Sequence, residues 1–288
     1  MSEDRSVVTV VHEAPPRTVR VGPIDVAPLP EAAVVRLVER AWSRHTGGWI
    51  ATANVDIARA AARDAEAAAL LAEADLVVAD GMPIVWAARL AGHPVPERVT
   101  GSALVFSLTE AAARAGRSVY LLGGEPGVPE AAARALADRY PGLLIAGTHS
   151  PPPGFDRTAD GMADVVHKVV RAQPDLVLAG LGFPKQERTI RRLRATLPDA
   201  WYLGCGAGIP MAAGQFRRAP ELAQRIGAEW VHRLALEPRR LAGRYLRDDA
   251  PFAARLLTGA LLRRAATRVD PQPARFRRLK SVPSVQES

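Results

Sequence analysis

The sequence predicts an α/β fold: a Rossmann-like, mostly parallel sheet with helices on both faces, followed by a C-terminal basic helical appendage. Three observations carry that expectation. Short apolar runs alternate with Ala-rich segments of helical spacing. Those runs are continuous and apolar but for Thr52, as strands covered on both faces are. Near residue 216 the runs stop and arginine-rich helical patterns take over.

In chain order, residues 1–18 read as a disordered tail, with Pro15-Pro16 near its end. A catalytic-type domain follows over 19–216. Its strand candidates are residues 49–53, 76–79, 119–122, 143–146, 176–179 and 201–203. Each precedes a helix-like stretch; in residues 130–140, Ala133, Leu136, Ala137 and Tyr140 recur at helical spacing. Helical patterns at 220–247 and 251–268 form the appendage, residues 217–268. Residues 269–288, rich in Pro, Ser and Arg, read as a second tail. No internal repeat is visible.

Composition narrows the class. A chain of 288 residues that is 48% hydrophobic and 24% charged excludes collagen, wholesale disorder and a disulfide scaffold. The single cysteine, Cys205, excludes an intramolecular disulfide. No stretch is apolar for long enough to span a membrane. The N-terminus carries acidic residues and no apolar core, so it does not read as a signal peptide. Zinc-type Cys/His spacing, the P-loop and Asp-x-Asp are all missing, so no metal site is expected. Asp248-Asp249 precedes Ala250-Pro251 and reads as a helix cap. The net charge of +8 is unevenly spread: residues 216–288 hold 16 basic and 7 acidic side chains, against 22 and 23 in residues 1–215. The last quarter therefore suits an anionic partner, with nucleic acid, a membrane surface and phosphorylated substrates all qualifying.

Ligands of open parallel sheets bind outside the carboxyl ends of the strands. Five strand ends here carry small, polar or charged residues: Asn54-Val55-Asp56, Asp80-Gly81, Gly123-Gly124-x-x-Gly127, Gly180 to Glu187, and Gly204-x-Gly206-x-Gly208. Together they point to a nucleotide-type site. The Gly123-Gly124 loop opens a helix, which suits phosphate; a tight strand-to-helix turn demands the same glycines. It is not G-x-G-x-x-G, and the Gly204 loop lacks an acidic ribose anchor about 20 residues on. A nicotinamide- or nucleotide-binding Rossmann-type protein of another activity is thus the competing reading. Asp80, at the tip of an apolar run, suits a general base or an N-cap for the helix that starts at Met82. Gln186-Glu187 suits a ligand cradle or, for the acid, a helix-dipole partner in a first turn.

Taken together, these strings resemble the WecG/TagA/CpsF family of bacterial glycosyltransferases (glycosyltransferase family 26), over roughly residues 20–247. The matching strings are Thr52-Ala-Asn54-Val-Asp56, Ala79-Asp80-Gly81 with Glu97-Arg98-Val99-x-Gly101, and Leu121-Leu-Gly123-Gly124-x-Pro-Gly127-Val. Then come Gly182-x-Pro184-x-Gln186-Glu187, Arg218-Ala219-Pro220, and Glu229-Trp230-x-x-Arg233-Leu234-x-x-Glu237-Pro238-x-Arg240 continuing to Arg244-Tyr245. The resemblance implies inverting, metal-independent transfer of a sugar of the N-acetylmannosamine type, or a related hexose, from a UDP-sugar. It implies a polyprenyl-diphosphate-linked sugar as acceptor, at the cytoplasmic face of the membrane. Teichoic acid, common-antigen and exopolysaccharide assembly all use such enzymes. By the same resemblance Asp80 is the catalytic base, Thr52 and Asn54 lie near the reacting sugar, and Gln186 lies beside the sugar or diphosphate. Gly81, Arg98, Gly101, Ser102, Gly123, Gly124, Gly182, Pro184, Gly206, Arg218, Arg233, Arg240 and Arg244 take substrate-binding positions. The sequence departs from the family at Ile209-Pro210, where Phe-Asp is usual, at Ala103, where Asp is frequent, and at Pro83, a common Gly. The lost carboxylates bear on which base or sugar is read.

In the appendage, Phe252, Leu256, Leu257, Ala260 and Leu261 share one helix face, flanked by Arg255, Arg263 and Arg264. Upstream, Trp230, Leu234, Leu241 and Tyr245 fall together with arginines nearby. Such helices suit an anionic membrane surface, and equally a core-packing pair with a solvated basic face. Nucleic acid is not expected as a partner, since no helix-turn-helix or zinc motif is present and aromatics are sparse. The expectation is a protein peripheral on the inner membrane face, with the family resemblance pointing to a homo-oligomer formed through the α/β domain.

Overall fold

The computed structural model describes residues 18–215 and 243–267, without the side chains of 244–246, 266 and 267. Both expected tails and the appendage segment that carries Arg218, Arg233 and Arg240 lie outside the described residues, as does the side chain of Arg244.

A hairpin comes first, with β1 (Val19–Val21) antiparallel to β2 (Ile24–Val26). Then follow α1 (Glu31–Trp42), β3 (Gly48–Ala53), α2 (Val55–Arg63), α3 (Ala65–Glu73), β4 (Leu76–Ala79), α4 (Met82–Leu90) and α5 (Gly101–Arg114). The second half runs β5 (Ser118–Gly123), α6 (Val128–Arg139), β6 (Leu144–His149), a 3-10 turn, α7 (Ala159–Ala172), β7 (Leu176–Gly180), α8 (Lys185–Thr196), β8 (Trp201–Gly204) and α9 (Gly208–Ala212). A π-helical turn, Gly243–Asp249, leads into α10 (Ala250–Thr267). The six strands β3 to β8 form one parallel sheet in the order β4-β3-β8-β7-β5-β6. This is the expected α/β architecture, and all six strand candidates are strands.

The apolar runs follow from burial on both faces. Alternate residues of β3 divide between two cores: Trp49, Ala51 and Ala53 pack with α2, α4, α7, α8 and α10, whereas Ile50 packs with α1, α5, α6 and α9. A parallel sheet brings every strand's carboxyl end to one rim, so the loops after β3, β4, β5, β7 and β8 meet there.

Three expectations change. The β1–β2 hairpin has no counterpart among the strand candidates, because three-residue strands around Gly22-Pro23 are too short to show a period. Asp248 and Asp249 do more than start a helix: Asp249 accepts from Nε of Arg59 on α2 at 3.2 Å, and Asp248 lies 4.0 Å from the same guanidinium. The apolar face of α10 packs on the domain. Leu256 and Ala260 are buried in the core, with Phe252 and Leu257 against it. Leu256 sits so close to the hairpin turn that a Cβ on Gly22 would lie 2.4 Å from its Cδ1. Leu261, assigned to the same face, is exposed together with Leu262.

Candidate active site

Asp80 follows β4, with its backbone N–H bonded to the Ala53 carbonyl at 3.0 Å. It is not the cap of α4: that position is Gly81, which has a φ of 140° and no side-chain cap bond. The half-buried Asp80 carboxylate turns to α5 instead and accepts from the Gly101 N–H at 3.3 Å. The start of a 14-residue helix favours negative charge there. Arg98 is half-buried in the same approach, next to Val99, whose N–H bonds the Ala79 carbonyl at 2.9 Å.

Thr52 is buried near the end of β3 and donates its hydroxyl to the Gly204 carbonyl at 2.9 Å. Its Oγ1 lies 3.1 Å from where a Cβ on Gly101 would stand, and the Cys205 Cα lies 3.0 Å from that point. Glycine is therefore what lets the α5 start seat between β3 and β8. Asn54 caps α2, accepting from Ile57 N at 3.0 Å, which leaves its Nδ2 as the donor it offers a ligand. Its Cβ neighbours Gly81. Ser102 stands beside Gly208, with its hydroxyl 3.2 Å from Thr100 Oγ1. Thr52, Asn54, Asp80, Gly81, Gly101 and Ser102 thus form one cluster.

The β7 and β8 loops join that cluster through Gln186. Its Oε1 accepts from Gly206 N at 3.2 Å, and its Nε2 donates to Glu187 Oε1 at 2.9 Å. Gly182 and Pro184 form the approach to α8, with a cis bond before Pro184. Glu187 is 1% exposed, so it is no solvent-facing dipole partner. Burial pushes its carboxyl up to about 7, against an opposing hydrogen bond from Gln186. Of the two readings that the sequence offers for Glu187, the helix-dipole partner is thus excluded, and its spacing to the buried Ile190 and Leu193 places it on the inner face of α8. Cys205, between Gly204 and Gly206, is buried, and its thiol is pushed up to about 12 by that burial.

The Gly123-Gly124 loop reaches the same rim, but close packing explains its first glycine. A Cβ on Gly123 would stand 2.5 Å from the Gly180 carbonyl. The α6 start is also less open to phosphate than its glycines imply. Val128 N is bonded to the Glu125 carbonyl at 3.0 Å, Pro129 has no N–H, and Glu130 occupies the first turn. Ile209, one of the family departures, is fully buried and packs over Gly180, while Pro210 is half-buried beside it. Among the described residues, no group of three His, Cys, Asp or Glu side chains could hold a metal ion, and no helix is long and apolar enough to cross a membrane.

A parallel α/β sheet with a cluster of a carboxylate, hydroxyls and amides at its carboxyl rim has the arrangement in which enzymes of this fold class bind their ligands. The glycosyl transferase WecG/TagA/CpsF family model matches residues 19–266, and the chain belongs to that family of glycosyltransferases. Curated relatives agree. A protein of Bacillus spizizenii (strain ATCC 23059 / NRRL B-14472 / W23) is 30% identical over 68% of this chain and 74% of its own length. One of Bacillus subtilis (strain 168) is 31% identical over 67% and 73%, and one of Staphylococcus aureus (strain NCTC 8325 / PS 47) 31% over 67% and 74%. Each is named N-acetylglucosaminyldiphosphoundecaprenol N-acetyl-beta-D-mannosaminyltransferase.

Proposed function

We propose that this glycosyltransferase moves a hexose of the N-acetylmannosamine type from a UDP-sugar to a polyprenyl-diphosphate-linked sugar, with inversion and without a metal, at the inner face of the membrane. The observation that carries the reading is the Asp80 carboxylate, held at the α5 start within the cluster of Thr52, Asn54 and Gly101. The acceptor hydroxyl oxygen forms the new bond to the anomeric carbon as the bond from that carbon to UDP breaks. Asp80 takes the hydroxyl proton, and the electron pair leaves on UDP. Thr52, with its proton committed to Gly204, accepts from a sugar hydroxyl, and Asn54 donates to one. Such positioning lowers the barrier by several kcal/mol. Arg98 and the arginines at 218, 233, 240 and 244 balance the diphosphate charge.

The acceptors in the relatives' names, and the exposed Arg255, Leu262 and Arg263 of α10, support a lipid-linked substrate met at an anionic surface. The test is a panel of UDP-sugars assayed for UDP release with a short-chain polyprenyl-diphosphate-sugar acceptor. Asp80→Asn is expected to lower turnover by roughly 10²–10⁴-fold; near-normal turnover in that variant would overturn the assignment of the base.

A further inference from the structure

Gln186 and Glu187 are 2% and 1% exposed, so water cannot replace the bonds they make. The two ends of an amide have nearly the same shape, and turning it over exchanges donor for acceptor. Here the two neighbours are a carboxylate oxygen, Glu187 Oε1, and a backbone N–H, that of Gly206. Only one orientation satisfies both; the other sets oxygen against carboxylate and N–H against N–H. Gly204 makes room for the arrangement, since a Cβ there would stand 2.7 Å from Gln186 Nε2. Glu187 Oε2 is buried with no hydrogen-bond partner among the described residues, so the one side chain there that bonds the carboxylate is Gln186.

We propose that Glu187 is a positioning residue: its carboxylate sets the orientation of the Gln186 amide and thereby holds the Gly204–Gly206 loop in register at the active-site rim.

Burial alone drives the Glu187 ionisation upward, to about 7. The other charged groups of α8 are paired elsewhere or, like Arg192, exposed. Lys185, Arg188, Arg191 and Arg194 pair with Asp156, Glu66, Glu73 and Asp75. The charged residues of α7 (Asp160, Asp164, His167, Lys168 and Arg171) are exposed. From β8 and the loop after it come the Tyr202 hydroxyl, bonded to the Leu197 carbonyl, and the Cys205 thiol. Near neutral pH the amide is therefore held firmly by the ionised acid, which only accepts, and less firmly by the protonated one, which also carries a donor.

The kinetic part of the test rests on the glycosyltransferase reading; the spectroscopic part does not. In ¹⁵N-labelled full-length protein, the Gln186 side-chain amide and the Gly206 backbone amide are followed from about pH 5.5 to about 8.5. Both are expected to shift with a midpoint near 7 in the wild type and to stay flat in Glu187→Gln. With the UDP-sugar and lipid acceptor that the wild type uses, Glu187→Gln is expected to lower kcat by about 10- to 100-fold. The donor KM should change little, and the acid limb near pH 7 should vanish. Wild-type resonances that ignore pH, or a variant with unchanged kcat and pH profile, would overturn the proposal. If the wild type transfers no sugar, the functional reading fails while the resonances still decide the positioning role.

Discussion

Leu256→Ala separates two roles for the apolar face of α10. Leu256 is 5% exposed and fills the notch at Gly22, in a core shared with α4 and the β1–β2 hairpin. Removing a buried leucine's outer carbons costs the transfer free energy plus that of the cavity left behind, in the range of about 2–5 kcal/mol. The notch is formed by backbone at a turn with φ of +58°, which cannot close on a smaller side chain, so a value of about 3 kcal/mol is expected. For a domain of this size that lowers Tm by roughly 6–12 °C. Thermal and urea unfolding of the full chain would be compared with Leu262→Ser, whose residue is 72% exposed and whose change should stay within about 0.5 kcal/mol. Anionic-liposome co-sedimentation of the same variants completes the comparison. An unchanged Tm in Leu256→Ala together with lost liposome binding would refute the packing reasoning, because the leucine would then be seated in lipid.

Other expectations follow from the same contacts. Gly204→Ala places a Cβ 2.7 Å from Gln186 Nε2 and should lower turnover by about 10- to 100-fold with a loss of about 1–3 kcal/mol in unfolding free energy; comparing kcat with urea midpoints checks both. Glu187, pushed by burial to about 7 in the folded state, carries a penalty that is absent below its ordinary range and complete above pH 7. Wild type should therefore lose roughly 2–3 kcal/mol relative to Glu187→Gln between pH 5 and pH 8, and parallel stability curves would contradict this. At Asp175 burial raises the carboxyl, but the Ser118 N–H and hydroxyl and the Arg117 guanidinium outweigh it, so the net shift is downward. Its stabilisation is present above the ordinary carboxylate range and lost as pH falls through the lowered value. Asp175→Asn should thus lower the urea midpoint at neutral pH and converge with wild type in acid.

The sheet was readable in the sequence because a strand buried on both faces is a wholly apolar run, as at Leu76–Ala79. The rim followed from topology: once strands are parallel, the residues after them meet, and Thr52, Asn54, Asp80, Gly101 and Gln186 do. Less came through where the pattern is weak or shared. The polar end of β6, Gly147 to His149, has no apolar run because it lies at the sheet edge. The burial of Glu187 was hidden because an acid in a first helical turn ordinarily faces water; only its spacing to Ile190 and Leu193 marks it as internal.

The appendage shows the deepest of these limits. Hydrophobic burial is non-directional, so Phe252, Leu256, Leu257 and Ala260 make the same stripe whether protein or lipid covers it. What decides is a feature far away in sequence: Gly22 presents a turn without a side chain, into which Leu256 fits. With that stripe taken by the domain, Arg59 pairing with Asp248 and Asp249 holds the entry to α10 on α2 as well. Any membrane contact made by α10 must then use its other side, where Leu261, Leu262 and Arg263 are exposed. That surface is narrower and more basic than the stripe. Its attachment to an anionic bilayer should therefore weaken steeply with salt, as charge attraction does, whereas attachment through the buried stripe would be largely insensitive to it.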